Sequence, residues 1–200
     1  MSKFKISYPS GATPIEPDEL RDLIPDYIST MGELNQLEQS NIADGFVWAG
    51  KQNLDDLLSE TFVLKLHKNM FNQVWKWAGK TRNSSKNIGV LKENIMTDLG
   101  ILIGNTKYWI EKKTFNNDEI AVRFHHRLVQ IHVFPNGNGR HARLITDLLL
   151  QTLGENKFTW GTLSAHTPIE VEGKTRSDYV AALKKADNGE FDDLMKFVKS

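Results

Sequence analysis

The chain has no cysteine among its 200 residues. That excludes a disulfide frame, a cysteine-ligated metal centre and a cysteine nucleophile. It has no surplus of either charge, because Lys+Arg 25 balances Asp+Glu 25. A neutral balance gives no overall field to draw the protein to nucleic acid or anionic lipid, so only local basic patches could do so. Direct nucleic-acid binding and membrane attachment are therefore not expected. No apolar run reaches membrane-spanning length. The start, Met1-Ser2-Lys3-Phe4-Lys5-Ile6-Ser7-Tyr8-Pro9, carries no apolar segment of signal-peptide length. A cytoplasmic setting is expected. Neither repeats nor low-complexity segments are visible.

What is present is a hydrophobic share of 40%, enough for one sizeable core. Residues 1–16, with Pro9, Gly11 and Pro14, read as an extended arm. Pro17-Asp18-Glu19 opens a short helix that Pro25 stops. Helical spacing of apolar residues then predicts helices over about 32–51, 55–77, 94–113 and from Asn117 into His132. A further helix covers Leu144 to Leu153 and ends at Gly154, and a closing pair, 177–186 and 191–198, flanks Asn188-Gly189. Trp75 and Trp77 read as core. The expected fold class is all-α, a helical bundle with one small β-hairpin flap at about 80–91. In that flap Asn87, Ile88, Gly89 and Val90 could hold an extended substrate segment by strand pairing.

One loop concentrates the chemistry: Ile131-His132-Val133-Phe134-Pro135-Asn136-Gly137-Asn138-Gly139-Arg140-His141-Ala142-Arg143. It lies between two helical stripes, so most of its polar groups fall where a helix begins. A helix start presents unpaired N–H groups and a positive dipole end to an anion. Gly137, Asn138 and Gly139 let backbone approach phosphates, with the Asn138 side chain as an added donor. Arg140 and Arg143, three apart, offer fork-shaped donors to successive phosphates. His132 can take a proton near neutral pH. A base beside a triphosphate cradle implies transfer from a nucleotide to a hydroxyl. Each residue alone has an ordinary reading as turn, solvated arginine or structural histidine; the ordered combination favours the chemistry.

This loop resembles the signature of the Fic (filamentation induced by cAMP) family, His-Pro-Phe-x-Asp/Glu-Gly-Asn-Gly-Arg-x-x-Arg. His132, Phe134, Gly137, Asn138, Gly139, Arg140 and Arg143 match it with spacing intact. Trp77-Ala78-Gly79-x-x-Arg82 resembles the family's run into its target-binding flap, and Arg176-x-x-Tyr179-x-x-Ala182-Leu183 its C-terminal helix. Together with Glu33-Leu34-Asn35-x-x-Glu38-x-x-Asn41-Ile42, the loop is similar to the subgroup called mobile mystery protein B. That subgroup implies a mobile-element setting and a small helix-turn-helix partner protein.

The resemblance implies an adenylyltransferase (AMPylator) that moves AMP from ATP to a Ser, Thr or Tyr hydroxyl of a target protein, or of itself. By it, His132 is the general base, Gly137 to Gly139 the anion hole, Arg140 and Arg143 the phosphate ligands, and Phe134 the inward anchor of the loop. The division expected is 1–54 for the arm and N-terminal helices and 55–200 for the Fic domain, with its motif loop at 132–143. Two positions depart from the pattern. Val133 replaces the proline. Asn136 replaces the acid that usually holds Mg²⁺, which predicts weaker metal dependence or another donor nucleotide, since an amide oxygen brings no charge to the metal. The family's inhibitory pattern, Ser/Thr-x-x-x-Glu-Gly/Asn, is approximated by Ser40-Asn41-Ile42-Ala43-Asp44-Gly45 within 32–51. Asp44 there stands for glutamate, and Glu38 is a second candidate. Glu172-Gly173 is one residue out of register. Two other classes compete: a nucleotide-binding module that no longer transfers, and a metal-dependent nuclease using His125, His126 and His132. The nuclease is disfavoured, because adjacent histidines on a helix diverge by about 100° and the loop brings no carboxylate.

Overall fold

The computed structural model describes residues 16–84, 86, 88–163, 169, 170 and 173–200. The arm up to residue 15, Asn87 of the flap and Glu172 lie outside them. Among the described residues there are eight α-helices: α1 (Pro17–Leu20), α2 (Met31–Ala49), α3 (Glu60–Phe71), α4 (Ile95–Lys112), α5 (Asn117–Ile131), α6 (Asn138–Thr152), α7 (Lys174–Ala186) and α8 (Asp192–Val198).

Local chemistry sets several boundaries. Thr30 and Glu33 form a capping box before α2: the Thr30 hydroxyl accepts from the Glu33 N–H, and the Glu33 carboxylate accepts from the Thr30 N–H. Ser59 accepts from the Phe62 N–H at the start of α3. Asn116, one residue before the expected cap, accepts from the Glu119 N–H and starts α5.

The α5–α6 pair lies at the centre. One side of it, through Phe124, Leu128, Ile131, Ala142, Ile145 and Leu149, packs with Phe62, Leu66, Met70 and Phe71 of α3 and Leu99 and Leu102 of α4. Its other side, through Ala121, Val122 and Leu150, packs with Tyr179, Ala182, Leu194, Phe197 and Val198 of α7 and α8. A helix pair buried on two sides gives the loop between its members a rigid base, and that loop is 132–137. Trp75 and Trp77 are core, as their context implied, stacked at 4.9 Å.

The all-α class holds; the hairpin is not seen among the described residues. Among the described residues of 80–91 there is no strand, and the one β-bridge of the described chain joins Leu23 to Trp75. The reason is where the backbone bonds go. Arg82 N–H donates to Val133 O at 2.9 Å and Val90 N–H donates to Ile131 O at 3.4 Å. The backbone N–H groups at the two ends of the flap are bonded to 131–133 instead of to each other.

Candidate active site

The loop begins where α5 stops. His132 caps that helix in the left-handed region, φ 56° and ψ 62°, a conformation that costs a non-glycine residue about 1 kcal/mol or more. Its ring is buried at 4% exposure. Burial, then the Arg82 guanidinium and the Lys86 ammonium, push its pKa from 6.5 down to about 4. The imidazole is therefore neutral at pH 7 and able to accept a proton. An anionic triphosphate bound beside it would oppose the two cations and raise that value, which strengthens the base when substrate is present.

Phe134 points inward and its ring stacks on His67 of α3, 3.6 Å between centroids. Asn138 closes the loop: its Oδ1 accepts from the Phe134 N–H at 2.9 Å, and its Nδ2 donates to Phe134 O at 2.7 Å. The Asn138 Oδ1 and one of its two amide hydrogens thus brace the loop, and its backbone N–H adds to what the residue can offer an anion. Gly137 precedes α6 at φ 76°, and a Cβ there would come within 2.6 Å of the Phe71 ring, so only glycine fits the turn. The first helical bond runs from His141 N–H to Gly137 O. The N–H groups of Asn138, Gly139 and Arg140 lie before it, at the positive end of a fifteen-residue helix.

His67 is the residue that sequence reasoning missed. The Gly79 N–H donates to its Nδ1 at 3.0 Å, which leaves the hydrogen on Nε2, and Nε2–H donates to Asn136 O at 3.1 Å. A neutral ring of fixed tautomer thus ties α3, the turn before the flap and the motif loop together. Burial and His141 hold its pKa well below 6.5. The signal was available: a histidine inside the apolar stripe of Val63, Leu66, Met70 and Phe71 is a buried polar group, and buried polar groups are bonded.

The arginines diverge. Arg140 Nη1 donates to Glu38 Oε2 of α2 at 2.5 Å, and its guanidinium lies 4.9 Å over the Phe71 ring. Glu38 is buried and its other oxygen accepts from Trp75 Nε1 at 2.7 Å. Arg143 turns the other way, to the Glu170 carboxylate. The Tyr179 hydroxyl is hydrogen-bonded to His125 Nε2, 2.9 Å away. The sequence pattern did not place Glu170 at this site. Asp44, by contrast, accepts from Gln73 Nε2 on the surface, and Ser40 is exposed, so neither meets a motif arginine. Ser40 and Asp44 of the pattern are exposed on α2 while Asn41 and Gly45 are buried, and Glu38, six residues before Asp44, takes the arginine. Ile88, Gly89 and Val90 of the flap lie over the loop: a Cβ at Gly89 would come 2.7 Å from the His132 Cβ.

Asn136 Oδ1 is a neutral oxygen that accepts from the Gly137 N–H at 2.7 Å. Among the described residues no group of three His, Asp or Glu side chains could hold a metal ion. One amide oxygen is not a resident Mg²⁺ site. His125 bonds Tyr179 and His126 bonds Asp187 at 2.9 Å, so neither joins His132 and the nuclease constellation does not form.

The chain and its fold have known relatives. The family model described as Fic/DOC family matches residues 57–150. The chain is 25% identical over 173 residues to "Protein adenylyltransferase Fic" of Aedes aegypti, covering 84% of this chain and 32% of that protein. It is 27% identical over 140 residues to the protein of the same name from Drosophila mojavensis, covering 68% and 26%. The chain thus spans about a third of the length of the curated relatives it matches. Among solved structures, BepC, a VirB-translocated effector of Bartonella tribocorum with bound AMPPNP, superposes at a TM-score of 0.68 with 16% identity, over 92% of this chain and 97% of that one. Fic-1 of C. elegans gives 0.63 with 24% identity, over 82% and 48%. Residues 57–150, which hold the whole of the loop just described, are thus the part of the chain that the Fic/DOC family model matches.

Proposed function

We propose that the protein is an adenylyltransferase that moves AMP from ATP to a hydroxyl side chain of a protein. The observation that carries it is the single rigid loop holding a buried neutral imidazole, a helix start and two arginines, closed by the Asn138 brace on Phe134. In the reaction, the target hydroxyl loses its proton to His132 and its oxygen bonds to the α-phosphorus. The bond from that phosphorus to the β-phosphate oxygen breaks, and pyrophosphate leaves into the cradle of N–H groups and arginines. The relatives named protein adenylyltransferase and the nucleotide bound in BepC support this reading. Mg²⁺ enters it as a companion of the nucleotide phosphates, with Asn136 as a neutral neighbour.

Autoinhibition belongs to the same reading. Glu38 and Glu170 occupy the guanidinium donors of Arg140 and Arg143 that phosphate oxygens would take. Nucleotide binding then has to displace carboxylates, which lowers affinity until a target or partner releases them. A second reading, a binding module without transfer, is favoured by Asn136 alone. The test is incubation with α-labelled ATP and the other labelled triphosphates in the presence of cell extract. Label on protein that is absent with His132→Ala supports transfer. Nucleotide bound with no label on any protein sinks it.

A further inference from the structure

We infer that Arg82 is a positioning residue for this transfer: its one guanidinium fixes both ends of the flap against the backbone of His132. The inference rests on the transferase reading above. Arg82 is 3% exposed. Its Nε donates to His132 O at 2.6 Å, its Nη1 to Ser84 O at 2.9 Å and its Nη2 to Val90 O. Its own N–H donates to Val133 O, and the Val90 N–H to Ile131 O. Residues 82 and 90, the two ends of the flap, are thus seated on either side of His132, and the guanidinium spans the gap between them.

Each part has a physical reason. His132 sits in a left-handed conformation that persists only when its surroundings over-determine it. The Arg82 bond to its carbonyl is such a constraint. Three carbonyls pointing at one group from three directions suit a planar fork of five donors and do not suit the single point of an ammonium. Gly89 makes room: a Cβ there would lie 2.7 Å from the His132 Cβ and 2.8 Å from the Arg82 Nη2. Further along the flap, Lys86 forms a buried ion pair with Glu19 of α1 at 2.7 Å, and the Ser84 hydroxyl bonds the same carboxylate at 3.3 Å. The charged groups facing His132 are Arg82 and Lys86. With the flap held by its ends, a target segment laid along it is aligned with the base, and a 1 Å error in such alignment costs on the order of 100-fold in rate.

The experiment compares wild type with Arg82→Lys, Arg82→Gln and Gly89→Ala. All three variants are expected to lower kcat by ~10- to 100-fold, with the dissociation constant for ATP unchanged, because the phosphate arginines are untouched. Arg82→Gln also moves the acid limb of kcat/KM to higher pH, whereas Arg82→Lys keeps the charge and leaves the limb in place. A variant that is merely less stable would not separate these readouts. Gly89→Ala carries the test if both Arg82 variants fail to fold. Folded variants with wild-type kcat overturn the inference. If the wild type itself labels no protein, the transferase reading falls. The positioning claim is then decided by hydrogen exchange: unchanged protection at 88–90 and 131–133 in a folded variant overturns it, and lost protection confined there supports it.

Discussion

Glu38 and Arg140 stand 102 residues apart in the chain and 2.5 Å apart in the fold. Arg140 is a residue of the motif loop, and Glu38 is buried beneath it with its second oxygen on Trp75. On the adenylyltransferase reading proposed above, this carboxylate holds the arginine that a phosphate would take.

Replacing Glu38 by Gln keeps an acceptor for Trp75 and removes the charge. ATP affinity and transfer rate are expected to rise several-fold, measured by calorimetry and labelling. The cost is about 1–3 kcal/mol of stability, because the half-buried Arg140 loses its partner. Asp44→Ala, on the surface beside Gln73, leaves both unchanged. Equal activation by the two substitutions would remove Glu38 from this role.

Asn136→Asp places a carboxylate beside the cradle. The expected outcome is tighter Mg²⁺ binding and a transfer rate that saturates at lower Mg²⁺, read from a metal titration at fixed ATP. Identical titrations for wild type and variant would show that this position does not meet the metal.

His132 has its pKa pushed to about 4 in the free protein. The kcat/KM profile is therefore expected to hold well below pH 6.5 and to fall as pH approaches about 4. The kcat profile, which reports the complex, is expected to break at higher pH, since bound triphosphate favours the imidazolium. A kcat/KM limb near 6.5 would contradict the burial of this ring.

Stability should follow the buried histidines. His141 and His125 have folded pKa values of about 4 and about 3, against 6.5 unfolded. Between those values the unfolded chain binds more protons, so stability rises with pH there. It is expected to be fully present above about pH 6.5 and to be lost progressively as pH falls from 6.5 toward 4 and then 3. Denaturant midpoints measured across that range check the slope.

His67→Phe keeps the stack on Phe134 and deletes both bonds, to Gly79 N–H and Asn136 O. Expected are a loss of about 2–3 kcal/mol in a denaturant titration and weaker ATP binding as the loop loosens. An unaltered nucleotide affinity would confine His67 to a structural role.

Several things were legible before the fold was known. The helices follow from apolar spacing, because a 3.6-residue period with caps such as Thr30 and Ser59 is local information. The motif loop was legible for the same reason: His132, Gly137, Asn138, Gly139, Arg140 and Arg143 lie within twelve residues, so their spacing fixes their relation to one helix start. The tertiary structure alone decided which carboxylates meet the arginines, because Glu38 and Glu170 arrive from other elements and no spacing encodes that. It decided that the Asn138 side chain braces the loop, that His67 locks it, and that the N–H groups of Arg82 and Val90 bond to Val133 and Ile131 instead of to one another. A short polar segment has no period to declare its partner, and buried groups bond to whatever packing brings within about 3 Å.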